Sequence, residues 1–223
     1  MKKIRVKIFR HDPEETDKNG WQEFAVDVEE KSTVLEALMR IYDTQDSSLA
    51  FNHGCRAGNC GLCAVNINGH PRYACTSKIT ANADISPLRH LPLIKDMVFD
   101  RAAFFRELEK FRPYIVRKNE PEAEPEILLQ PLEHDRLMSC RECFACLSSC
   151  PRYDYRDKSF GGPLAFVKLA QLHYDVRDSL DRVSQSRELG ILNCADCAGC
   201  ACISGIPIKR IVIRPFLALL GKH

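Results

Sequence analysis

Charged and apolar residues alternate from Lys3 to Arg10 and again from Trp21 to Val28. That alternation predicts two strands joined by the polar turn His11 to Gly20. Thr33-Val34-Leu35-Glu36 reads as a capping box, in which Thr33 and Glu36 each satisfy an otherwise orphaned backbone amide. Leu35, Leu38, Met39 and Tyr42 follow at helical spacing. Ala64-Val65-Asn66-Ile67, then Asn68-Gly69, predicts a strand that reverses in a tight turn and returns through Tyr73 to Cys75. A second helix opens at Asp100, places Phe104, Leu108 and Phe111 on one face, and stops before Pro113. Glu120 to Glu126 is too charged and too rich in proline for a core and reads as an exposed linker. Beyond it the period is helical: from Arg136 onward, from Pro163 (as a first helical residue) to about Tyr174, from Ser179 to Leu189, and from near Pro207. The expected fold class is α+β, with a mixed domain over residues 1–105 and an all-α domain over 106–223.

Composition narrows the function. A net charge of +2 over 223 residues is too near neutral to suggest nucleic-acid binding. Met1 to Val6 alternates like a strand, and no signal-peptide core follows it. The longest candidate for a membrane helix, Ile211 to Leu220, is interrupted by Arg214 and Pro215 and falls short of the roughly 20 apolar residues needed.

The twelve cysteines change the picture most. They form three sets of four with none left over: Cys55-x4-Cys60-x2-Cys63-x11-Cys75, Cys140-x2-Cys143-x2-Cys146-x3-Cys150-Pro151, and Cys194-x2-Cys197-x2-Cys200-x-Cys202. A secreted disulfide scaffold would carry an export signal and scattered thiols. Zinc sites use C-x2-C pairs but rarely the spacings of the first two runs. The first run is the plant-type 2Fe–2S spacing, with Gly54, Gly58 and Gly61 interleaved so that backbone amides can approach the inorganic sulfurs. The strands, helix, cysteine loop and hairpin around it match the β-grasp of plant-type ferredoxins. The second run is the bacterial ferredoxin spacing, whose fourth Cys serves the other cluster. Cys202 can then join Cys140, Cys143 and Cys146 in one 4Fe–4S site, and Cys150 can join Cys194, Cys197 and Cys200 in a second cubane. The seven histidines are spread singly, and His53 is a polar neighbour of the cluster loop rather than a ligand. No nucleophile–base pair, phosphate loop or nucleotide fingerprint is present, so no catalytic residue is expected.

Cys55-Arg56-Ala57-Gly58-Asn59-Cys60-Gly61-Leu62-Cys63 with Ala74-Cys75, the stretch Leu91 to Asp100, Pro113-Tyr114 and Phe160-Gly161-Gly162-Pro163 carry a resemblance over essentially the whole chain. They resemble the iron–sulfur subunit of succinate dehydrogenase and fumarate reductase. The resemblance implies a β-grasp domain followed by a helical ferredoxin domain. It also implies a subunit that relays single electrons between a FAD-containing flavoprotein, acting on succinate or fumarate, and a membrane anchor holding a quinone. Such a subunit lies peripherally on the cytoplasmic face of the membrane, through its partners. The basic C-terminus, Lys209, Arg210, Arg214, Lys222 and His223, is either a solvated face or a contact for anionic headgroups.

The chain departs from that family at the last cluster and at the quinone. The family's third run usually has a non-Cys residue three after its first Cys and builds a 3Fe–4S cluster, whereas here Cys197 fills that position. A fourth thiolate argues for 4Fe–4S over 3Fe–4S at this site. Of the quinone-proximal positions, Pro151 is retained, Tyr155 stands where the family commonly has Trp, and Ala195 stands where it commonly has His. The alternative is therefore a related subunit that links a flavoprotein to a thiol, a heterodisulfide or a soluble carrier. A free-standing ferredoxin is a third possibility, with nothing for the connector and basic tail to contact.

Overall fold

The computed structural model describes residues 1–118 and 129–221, so the expected linker at Glu120 to Glu126, and Lys222 and His223, lie outside the described residues. The chain divides into two compact units, Met1–Arg101 with Arg141–Ser149, and Ala102–Cys140 with Cys150–His223.

In the first unit, β1 (Lys2–Arg10) and β2 (Gly20–Val28) pair antiparallel from Lys2 opposite Val28 to Arg10 opposite Gly20. Their alternation buries Ile4, Val6 and Ile8 with Phe24, Val26 and Val28, because successive side chains point to opposite faces. α1 (Val34–Thr44) begins with the predicted capping box: Thr33 Oγ1 accepts from the Glu36 amide, and the Glu36 carboxylate accepts from the Thr33 amide. Val34, Leu35, Leu38 and Ile41 are buried, while Tyr42 turns outward at the margin of that stripe, edge-on to Phe51. β3 (Ala64–Ile67) and β4 (His70–Tyr73) make the expected hairpin, with Asn68 and Gly69 both at positive φ. β5 (Ala83–Ser86) lies parallel to β1 and antiparallel to β3, which gives a five-stranded mixed sheet of order β2-β1-β5-β3-β4. β6 (Leu93–Lys95) and β7 (Val98–Phe99) form a separate ribbon. The buried Asp96 between them accepts from the amides of His11 and Ala50 and from Arg10 Nε at 2.9 Å.

The second unit is helical. α2 (Arg101–Leu108), whose first residue still belongs to the first unit, runs on through one tighter turn to Phe111 and stops at Arg112, φ +48°, before Pro113. α3 (Leu132–Met138) ends ahead of Cys140. The chain is not helical around the second cysteine run as expected. Residues 140–144 form a loop with Glu142 and Phe144 at positive φ, and only α4 (Ala145–Ser148, in the first unit) is helical. α5 (Gly162–His173) carries Pro163 in its first turn, where a missing N–H costs nothing. α6 (Arg182–Glu188) starts later than expected because Asp181 is its cap, accepting from the Ser184 amide at 3.0 Å.

Arg182 is wholly buried. It pairs with Asp178 at 2.7 Å and donates to the carbonyls of Phe111, Arg112 and Tyr114, pinning the residues that follow α2.

The last segment opens with a π-helical turn, Lys209–Ile213, and continues as α7 (Arg214–Leu220). Pro215 has no N–H for the Ile211 carbonyl, and the Tyr174 hydroxyl donates to that carbonyl instead, at 3.1 Å. Among the described residues no helix is long and apolar enough to cross a membrane.

Candidate iron–sulfur sites

The first cysteine set takes its geometry from the β3–β4 hairpin. Ala64 pairs with Tyr73, which puts Cys63 beside Ala74 (the Ala74 amide donates to the Cys63 carbonyl at 3.0 Å) with Cys75 one residue beyond. The eleven residues between Cys63 and Cys75 are thus two four-residue strands, the Asn68-Gly69 turn and Ala74. Both thiols are buried at the open end of the hairpin. Cys55 and Cys60 lie in the preceding loop, whose backbone bends inward. The amides of Ala57, Asn59 and Cys60 donate to Cys55 Sγ at 3.4, 3.1 and 3.3 Å, and the Cys55 amide donates to Cys60 Sγ at 3.5 Å. Gly58, at φ +70°, donates to Cys75 Sγ at 3.2 Å.

These contacts push the thiols in opposite directions. The amides of Ala57 and Asn59, then Cys60, lower Cys55 to about 6. Burial, with the nearby Cys75 and Cys60 charges, pushes Cys63 up to about 11. A buried thiol beside other thiolates is stable as an anion only next to a cation, which a bound iron would supply.

The structure divides the second run. Cys143 and Cys146 are buried in the first unit, while Cys140, Cys150 and Cys202 belong to the second. The Arg141 side chain donates to Asn59 Oδ1 at 3.0 Å, so the segment carrying Cys143 touches the loop carrying Cys55 and Cys60. Gly61 makes this approach possible: at φ +74°, a Cβ there would lie 2.2 Å from the Arg141 carbonyl and 3.1 Å from Cys143 Cβ.

In the second unit, Cys150, Cys194, Cys197 and Cys200 are electrostatic neighbours. Burial, then Cys150 and Cys197, pushes Cys194 up to about 11; burial, then Cys194, Cys150 and Cys197, pushes Cys200 up to about 12. Burial also raises Cys150, with the Cys197 charge adding to it. Lys209 opposes this at Cys194 and Cys200, and its Nζ donates to the Cys197 carbonyl. Arg152 opposes it at Cys150 and Cys194. Lys209, read from the sequence as part of a basic C-terminal face, thus turns toward the last cysteine set, and Arg152 was not singled out, because nothing in the sequence marks a basic residue as facing a thiol.

Among the described residues no three His, Cys, Asp or Glu side chains converge on a point where a single metal ion would sit. A polynuclear cluster interposes several irons and sulfides between its thiolates, so its ligands need not converge. Inward-turned amides, buried thiols with mutual repulsion, and glycines at the closest approaches fit such a group.

A profile of the 2Fe-2S iron-sulfur cluster binding domain matches residues 5–106. An uncharacterized iron-sulfur protein of Methanocaldococcus jannaschii is 37% identical over 225 residues, 98% of this chain and 44% of its own. One of the subunits of the fumarate reductase (CoM/CoB) of Methanothermobacter marburgensis is 32% identical over 201 residues, 89% of this chain and 40% of its own. The mitochondrial succinate dehydrogenase [ubiquinone] iron-sulfur subunit of Candida glabrata is 34% identical over 197 residues, covering 84% of this chain and 76% of that one.

The chain belongs to the iron–sulfur subunit family of succinate dehydrogenase and fumarate reductase. It spans less than half the length of the two methanogen relatives just described. A chain in the structure of the Mycobacterium smegmatis Sdh1 complex in the apo form shares its fold, with a TM-score of 0.84 at 24% identity, covering 99% of this chain and 96% of that one. The profile match gives the N-terminal part of the chain a 2Fe–2S cluster binding domain. Where the family commonly has quinone-site Trp and His, this member has a half-buried Tyr155 and an exposed Ala195. The Tyr155 hydroxyl accepts from Arg156 Nε at 3.2 Å, and the guanidinium lies 5.3 Å from the Tyr155 ring centre. Pro151 is exposed beside Cys150.

Proposed function

We propose that this chain relays single electrons between a FAD-containing flavoprotein, which interconverts succinate and fumarate, and a membrane quinone pool. The observation that carries the reading is the grouping of all twelve cysteines in three sets of four, the first two at ferredoxin spacings, within a family-type fold. Cys55, Cys60, Cys63 and Cys75 would hold a 2Fe–2S cluster in a domain over residues 1–105. Cys140, Cys143, Cys146 and Cys202 would hold a 4Fe–4S cluster, and Cys150, Cys194, Cys197 and Cys200 a second 4Fe–4S cluster, in a domain over residues 106–223. When bound, these groups supply one-electron carriers between two two-electron chemistries. The amides on Cys55 and Cys75 stabilise negative charge in the first loop, and Lys209 and Arg152 do so around the last set. Pro151 and Tyr155 would flank the acceptor, and partner subunits would hold the chain peripherally on the cytoplasmic face of the membrane.

A second reading has a thiol pair or heterodisulfide in place of the quinone. The Methanothermobacter marburgensis relative, from a fumarate reductase (CoM/CoB), favours it, as does Ala195, which can neither bond a quinone nor move a proton. The purified native complex separates the two. Succinate-dependent reduction of a soluble quinone without added thiol is expected for the first reading. Fumarate reduction that requires a dithiol donor and ignores quinol replaces it with the second.

A further inference from the structure

Arg101, in the first unit, is a cation favoured both by a thiol of the first cysteine set, Cys60, and by a thiol of the second, Cys143. It stands at the start of α2, directly after β7. Its guanidinium lies 4.7 Å from the centre of the Phe144 ring and 5.8 Å from that of Phe99, and those two rings meet edge to face at 5.2 Å. Its Nη2 donates to the carbonyl of Glu142, the residue before Cys143, whose backbone is at φ +48°. Burial works against this charge, while Cys143, Glu142 and Cys60 favour it. A half-buried cation with no carboxylate bonded to it among the described residues is thus held by two aromatic faces and a carbonyl.

We propose that Arg101 is a positioning residue that places one fixed positive charge between the Cys60 and Cys143 sites and raises the reduction potentials of both clusters together. A shared cation favours the reduced, more negative state at each site. It therefore keeps the two potentials in step, so that an electron leaving one site does not face a steep climb to the next. The bond to Glu142 gives Arg101 a second task, holding the loop that presents Cys143. The inference rests on the ligand assignment proposed above and is independent of the identity of the terminal acceptor.

The test is an EPR-monitored redox titration of the purified complex carrying wild-type chain, Arg101→Gln or Arg101→Lys. Three wild-type cluster signals test the cluster content by themselves, and loss of the 2Fe–2S signal in Cys60→Ala and of a cubane signal in Cys143→Ala tests the ligand reading, so a failure of that reading and a failure of this one are distinct. In R101Q the reduction equilibria of the 2Fe–2S cluster and of the cluster served by Cys143 are both expected to fall about tenfold, about 59 mV for a one-electron couple. R101K, which keeps the charge, is expected to recover most of that shift, and the cluster served by Cys194 and Cys200 stays where it is. A loop defect without an electrostatic role would change cluster occupancy in both variants and leave the potentials of the surviving clusters alone. Potentials unmoved in R101Q, only one of the two moved, or no recovery in R101K would each overturn the proposal. Should R101Q not assemble, Arg101→Met keeps an apolar stem over Phe144 without the charge and is read by the same criteria.

Discussion

Gly61 meets two demands at once. Its φ of +74° suits a residue without a Cβ, and a Cβ would meet the Arg141 carbonyl at 2.2 Å, a backbone atom that cannot rotate away. Gly69 meets only the first demand, with φ +82° and its nearest neighbour, the flexible Arg89 side chain, at 3.7 Å. Gly69→Ala is expected to cost about 1 kcal/mol, the ordinary left-handed penalty. Gly61→Ala adds a clash and is expected to cost about 2–4 kcal/mol in total. Urea unfolding of the holoprotein checks this: the two midpoints should differ clearly at similar slopes. Equal losses would mean that the 141–149 segment can back away from the loop without penalty.

At the scale of elements, much of the first unit was legible because its signals are local. Alternation set β1 and β2, Thr33 and Glu36 marked the start of α1, and Asn68-Gly69 fixed the hairpin and with it the spacing from Cys63 to Cys75. What escaped depends on partners distant in sequence. The break between α3 and α4 follows from a loop with Glu142 and Phe144 at positive φ, which ordinary side chains do not announce. The π turn before α7 needs a carbonyl freed by Pro215 and a hydroxyl from Tyr174, 37 residues before that carbonyl. Asp175, just beyond α5, differs in taking its main partner from two residues away. It is buried, and it accepts from Arg177 Nε at 2.9 Å, Arg177 Nη2 at 2.7 Å and the Arg177 amide at 3.0 Å, with His134 at 3.7 Å. The Arg177 side chain holds its carboxyl down at about 2. A depressed carboxylate contributes stability above its unfolded value near 3.8 and loses it as pH falls through the folded value. With part of Arg177 in solvent, the contribution is on the order of 1–2 kcal/mol. Wild type should therefore exceed Asp175→Asn in urea midpoint at pH 6, and the gap should narrow as pH drops from 4 toward 2. A gap independent of pH would show that Asp175 acts by packing and not through its charge.

At the scale of the whole molecule, the number of irons tests the reading of the last cysteine set. Cys197 is an electrostatic neighbour of Cys194 and Cys200, and on the proposed reading it holds the fourth corner of a cubane. The protein purified without oxygen is expected to carry about ten irons per chain and no stoichiometric 3Fe–4S signal when oxidised. Cys197→Ser should bring that signal up and lower the count to about nine. A strong 3Fe–4S signal with about nine irons in the anaerobic wild type would make Cys197 a bystander.

The first unit is discontinuous, and this orders events in time. The chain leaves it at Arg101 and supplies its last nine residues, Arg141–Ser149, only after 39 others. At a synthesis rate of about 5–20 residues per second, the interval from Arg101 to Ser149 lasts roughly 2–10 s. Throughout that interval Phe99 lacks Phe144, Asn59 lacks Arg141, and the Arg101 guanidinium lacks its carbonyl. A nascent chain stopped before residue 141 thus presents the first cysteine loop with one wall missing. Iron delivered then meets a half-built socket, open to water and oxygen, and iron delivered after Ser149 has emerged meets a finished one.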